Sequence, residues 1–266
     1  MRLALALAIL CLLGPVRADA APCHGQAIAQ LQRLAPEGYD VYRRATDKSF
    51  FLNWISCDNV QLGLTTAVHE TVHMLTEEYN AYPLINGTRL ARVPERRPLF
   101  PPRLAAGHFD PSSTYVETYM RPGAATSAEE FGYLLNELNA YTHDLHAAVQ
   151  LRSLSEPGRS VHHRDGLAAL MAFVAVYTEE ARKSHPETWR ELQRPDLRRT
   201  VTVLWQQAED VMGSSCRTPN YSMEAPGYLA HVCRLTFRHA LGALLGRPPL
   251  CPISCRLDRT ATNLHR

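Results

Sequence analysis

The sequence predicts a mainly α (α+β) fold with a small β element, and three observations carry that expectation. Between Val60 and Tyr79 the residues Val60, Leu64, Val68, Val72, Leu75 and Tyr79 recur at three- and four-residue steps, the period of one helix face. A second run of the same period reaches from Ser127 to Leu151, with Phe131, Leu134, Leu135, Leu138, Thr142, Leu145 and Val149 inward. Beyond it, apolar helical segments are expected around 167–182, 198–212 and 228–245.

Taken in order, the first twenty residues read as an address. Arg2 gives a positive n-region, Leu3 to Gly14 an apolar stretch, and Ala18-Asp19-Ala20 a small-residue cleavage site before Ala21. That stretch and the run Leu167 to Tyr177 are both short for a bilayer, so no transmembrane segment is expected. Asp58 is the expected N-cap of the helix that follows. Pro83 marks a break, and Asn86-Gly87, between Leu84-Ile85 and Leu90 to Val93, is a hairpin signal because both residue types tolerate positive φ. Pro94 to Arg103 reads as a loop. Thr114 to Met120 alternates with a two-residue period and is expected to be a third strand. Ser127-x-x-Glu130 reads as a capping box opening the second long helix. The stretch Glu156 to Gly166, with Pro157, Gly158 and Gly166, is the expected boundary between a lobe at 21–156 and a helical, disulfide-containing lobe at 157–266.

Composition narrows the class. Without the first twenty residues the chain keeps 246, enough for a core that needs no special staples, and its formal charge falls from +2 to +1. Such a balance gives no electrostatic case for nucleic acid or an anionic membrane. Six cysteines remain, Cys23, Cys57, Cys216, Cys233, Cys251 and Cys255, and an even number behind an export signal favours disulfides over metal thiolates. Their spread predicts Cys23 with Cys57 and two bridges among the late four. The Ala- and Arg-rich chain with a short signal points to a bacterial, periplasmic or secreted protein, so the sequons at Asn86 and Asn220 carry little weight.

The chemistry concentrates at His69-Glu70-Thr71-Val72-His73. Two imidazoles four residues apart lie on one helix face, within reach of a single ion, while Glu70 sits about a hundred degrees round. Metal-assisted hydrolysis needs this division of labour: neutral nitrogen ligands leave zinc acidic, and a carboxylate takes the proton of water. From the chain's own 16 Glu and 12 His the pattern arises by accident roughly 0.03 times. Thr66-Ala67-Val68 and Met74-Leu75 leave every neighbour uncharged, and the two histidines oppose the apolar stripe.

From Thr66 to Leu75 the residues resemble the zincin superfamily of metallopeptidases. Where one branch carries a glycine and a third histidine, this chain has Thr76 and Tyr79. Asn136-Glu137-Leu138-Asn139-Ala140 is instead similar to the motif from which gluzincins take a glutamate as third ligand. The resemblance covers two helices. It implies a zincin-like fold, a catalytic lobe at 21–156, one zinc per chain on His69, His73 and Glu137, Glu70 as general base, and peptides or proteins as substrates. Tyr141 stands where the family has an aspartate that orients the first histidine, and Asp144, one turn on, is the expected substitute. Glu77, Asp110 and His108 are alternative ligands, whereas the helical wheel turns His143 and His146 away, to the surface. In the family a Tyr or His also stabilises the oxyanion, and Tyr141 is the local candidate, followed by Tyr115, Tyr119, Tyr228 and His231. An exported zinc-binding or interaction protein without catalysis, and a hydrolase of other amide bonds, are the competing readings.

Overall fold

The computed structural model describes residues 23–124, 126–155, 162–252 and 255. The expected export signal lies outside the described residues, as does 156–161 of the expected boundary stretch. Among the described residues the chain is mainly helical, with α1 (His24–Leu34), α2 (Pro36–Arg44), α3 (Lys48–Asn53), α4 (Val60–Tyr79), α5 (Thr114–Tyr119), α6 (Phe131–Gln150), α7 (His163–Ser184), α8 (Pro186–Leu192), α9 (Pro195–Ser215), α10 (Ala225–Cys233) and α11 (Leu235–Leu245). One antiparallel pair, β1 (Ala81–Pro83) with β2 (Arg89–Ala91), follows α4.

Two buried clusters share one helix. In the first, Ala27 and Leu31 of α1, Val41 of α2 and Phe51 of α3 pack on Leu64, Val68, Val72 and Leu75 of α4. Ala140, Ala147 and Leu151, from α6 and its end, complete it. In the second, Leu134, Leu135, Leu138 and Leu145 of α6 pack with α7, α9, α10 and α11. Leu167 through Tyr177 of α7 are all buried, because this helix is enclosed by neighbours on every side. The short helices α1 to α3 have no counterpart in the sequence reading. They are what covers the apolar face of α4.

Several local expectations need correction. The N-cap of α4 is Asn59, one residue after Asp58, and its side chain accepts from the Leu62 amide at 3.1 Å. At the other end Asn80 adopts the left-handed conformation, φ 47°, and stops the helix. The hairpin is present, but its first strand is Ala81–Pro83, ahead of Leu84-Ile85, and its second is Arg89–Ala91, one residue nearer the turn than expected at its start. Gly87 takes positive φ, while Asn86 contributes its Oδ1 to Thr88 N and Oγ1. Thr114–Tyr119 is helical, not a strand: Val116, Tyr119 and Met120, at i, i+3 and i+4, are the buried positions. The capping box does not form. The helix begins at Phe131, four residues after Ser127, with Glu130 as an N-cap that makes no side-chain cap bond. Ala128 is tied instead to Tyr119 O through its amide and to Arg103 N through its carbonyl.

Three disulfides join Cys23 to Cys57, Cys216 to Cys255 and Cys233 to Cys251, in the expected partition. They fit an oxidising, exported environment. No helix among the described residues is long and apolar enough to cross a membrane.

Candidate metal centre

The site lies on the seam between the two clusters, where α4 packs on α6. His69 and His73 are one turn apart on α4, and their Nε2 atoms stand 3.1 Å from each other. Glu137, on the second turn of α6, brings Oε2 to 3.7 Å from His69 Nε2 and 3.5 Å from His73 Nε2. These three residues form a group that could hold a metal ion. With bonds of about 2.0–2.2 Å to nitrogen and oxygen, two ligand atoms of a tetrahedral ion stand about 3.3–3.5 Å apart, so the triangle has the size that one small ion requires. His69 and Glu137 are buried, whereas His73 and Glu70 are partly open to solvent. Glu137 Oε2 is buried and makes no well-formed hydrogen bond, the two imidazole nitrogens lying just beyond that range. A buried carboxylate oxygen so placed is costly, and a cation between it and two imidazoles would satisfy it.

Electrostatics suit the same role. Burial, reinforced by His73, lowers the His69 pKa to about 4, so this imidazole is neutral and able to ligate at neutral pH. Burial also acts against charge on His73, but the carboxylates of Glu137 and Glu70 outweigh it and raise its pKa. For Glu137, burial pushes upward and is outweighed by His73 and His69, leaving its carboxyl below the ordinary range. Glu70 moves the other way: burial raises it, and the charge of Glu137 adds to that against the pull of His73.

Tyr141 follows Glu137 by one turn, and its ring meets that of His69 edge-on, centroids 4.5 Å apart. Its hydroxyl is hydrogen-bonded to that of Tyr119 on α5 at 2.8 Å. Burial raises the pKa of both phenols, which therefore remain protonated. Asp144 makes its hydrogen bond to a histidine other than His69, although its charge acts on His69. It bonds His163 Nδ1 of α7 at 2.9 Å, and both residues are buried.

The other candidates disperse. Glu77 makes a two-oxygen ion pair with Arg92 at the surface, and Asp110 closes a turn on Ser112. His108 pairs with Glu180. Neither His143 nor His146 is the surface residue expected from the wheel. His143 is buried and meets Pro83 O at 3.0 Å, and His146 is half-buried 3.6 Å from Glu37. The wheel fails because α6 is covered on two sides at once. Tyr115 bonds His162 O, while Tyr228 meets Ser113 beside Glu224. Two residues of the centre's surroundings carry no signal of it in the sequence: His163, and Gly166, which lies inside α7 and is expected from the sequence only as part of the boundary stretch. Both belong to α7, and nothing local in the sequence ties them to α4.

Compared with known protein families, curated proteins and solved structures, the chain matches none.

Proposed function

We propose that the protein is an exported, zinc-dependent metallopeptidase of gluzincin type. The observation that supports this most directly is the convergence of His69, His73 and Glu137 around a buried carboxylate oxygen that makes no well-formed hydrogen bond, with Glu70 next to the first ligand. Two imidazole nitrogens and one carboxylate suit zinc better than magnesium or calcium, which prefer all-oxygen shells. Zinc held there supplies a Lewis acid that polarises the scissile carbonyl and makes water more acidic.

The chain's own groups do the rest. Glu70, not being one of the three ligands, would take a proton from the attacking water and return it to the departing amine. With only the chain's own groups around it, burial raises the pKa of Glu70, so its carboxylate is not held by a strong partner there. The hydroxyl pair Tyr119 and Tyr141 offers protonated donors beside His69, and Tyr141 would donate to the oxygen that becomes negative. A peptide would approach at His73 and Glu70, which are partly open to solvent.

The test is Glu70→Gln, which keeps size and hydrogen bonding but loses the proton acceptor. Zinc content and thermal midpoint should match the wild type, and cleavage of a mixed peptide library should fall about 10²–10⁴-fold. Unchanged cleavage would remove Glu70 from the chemistry. Zinc uptake with no cleavage by either protein would favour a zinc-binding module without catalysis.

A further inference from the structure

Helix α7 contributes no ligand, yet through Gly166 it meets Tyr141, whose ring lies against the His69 imidazole. His163 and Gly166 are three positions apart on α7, and Tyr141 and Asp144 are three apart on α6, so each pair shares a helix face. The two faces meet. His163 Nδ1 and Asp144 Oδ1 are 2.9 Å apart in a buried contact. One turn further along α7, Gly166 comes so close to Tyr141 that a Cβ built on it would lie 2.2 Å from Cε1 and 2.3 Å from Cδ1 of the ring. Only a residue without a side chain fits there.

Tyr141 is thus confined from three directions. The backbone of α7 closes one side, the His69 imidazole lies against another at 4.5 Å, and the hydroxyl is held by Tyr119. The carboxylate nearest in sequence, Asp144, is engaged by His163. A ligating imidazole needs its ring plane fixed, usually by a hydrogen bond from its second nitrogen to a carboxylate or carbonyl. We infer that Tyr141 is a positioning residue for His69, an aromatic wedge that fixes the imidazole by packing, and that Gly166 exists to let α7 hold the wedge in place. The inference rests on the metal centre proposed above.

The experiment compares zinc dissociation constants, by chelator competition, and the d–d absorption of the cobalt(II) protein for the wild type, Tyr141→Phe, Tyr141→Leu and Gly166→Ala. Tyr141→Leu removes the flat wall, so zinc should bind about 10–100-fold more weakly and the cobalt bands should shift. Gly166→Ala should act in the same direction by displacing the ring. Alanine is the better helix former, so helix propensity cannot explain a loss. Tyr141→Phe keeps the wedge and loses only the hydroxyl, and it should retain wild-type affinity and cobalt spectrum. If Gly166→Ala does not fold, the contrast between Leu and Phe at position 141 carries the test. Tyr141→Leu binding zinc like the wild type would overturn the inference, as would Tyr141→Phe losing as much as Tyr141→Leu. A wild type that takes up neither metal would overturn the metal centre and the wedge together. The expected pattern in a protein that cleaves no peptide still supports the wedge and counts against the peptidase alone.

Discussion

His73 and Glu137, with 63 residues between them in the chain, present Nε2 and Oε2 3.5 Å apart. The intervening segment contains the β1–β2 hairpin and α5, and it leaves and returns to the same seam. Asn139 and His143 of α6 both contact Pro83 O at 3.0 Å, so the glutamate helix is fastened to the hairpin that ends the histidine helix. That fastening adds to the direct packing of α4 against Ala140 and Ala147 of α6, which brings Glu137 to the histidines.

Replacing Glu137 by Gln exchanges an anionic ligand for a neutral one. Zinc should bind at least about 10-fold more weakly, the smallest loss typical even of an outer partner of a ligand. Glu130→Gln is the control: Glu130 is exposed and makes no side-chain cap bond at the start of α6, so affinity should not change. Isothermal titration with zinc reads both. Full affinity in Glu137→Gln would place the third ligand elsewhere.

The pH dependence of folding should carry the signature of His143. Burial lowers its pKa to about 4, below the usual imidazole value of 6.5, with only the Pro83 carbonyl opposing. On acidification the unfolded chain protonates this histidine first. The stability it contributes is complete above pH 6.5, and it is lost as pH falls from there to about 4, by on the order of 3 kcal/mol. His143→Gln keeps an amide donor for Pro83 O and removes the titration. Urea unfolding between pH 7 and pH 4 should therefore show a shallower fall for the variant, and equal slopes would refute the assignment.

The position of α4 against the Cys57 loop should depend on Gly63. A Cβ there would lie 2.4 Å from Ser56 N and 3.1 Å from Ile55 Cα, backbone atoms that cannot rotate away. Gly63→Ala should cost about 1–3 kcal/mol despite its better helix propensity. Gly213→Ala in α9 meets nothing within 4 Å and should be neutral or stabilising. Thermal unfolding of the two variants checks the contrast, and equal midpoints would rule out the tight approach.

The pair His69 and His73 was legible because a four-residue step on a helix fixes two side chains through covalent geometry and local hydrogen bonds alone. The helical periodicity of α4 and α6 and the partition of the cysteines were legible on similarly local or compositional grounds. The segment Thr114 to Tyr119 shows the limit. Over six residues a two-residue and a helical period both fit, and what selects the helix is that Val116 and Tyr119 find the second cluster, with Met120 beside them. His143 shows a different limit, since a wheel assumes one buried face and α6 has two. The sequence by itself determined a helix carrying two imidazoles and a carboxylate, because each of those positions depends on its near neighbours. Only the tertiary structure decided that Glu137 would reach them, that Asp144 would turn to His163, and that Gly166 would press Tyr141 against His69. Those relationships depend on how α4, α6 and α7 pack, and packing is set by burial summed over the whole chain.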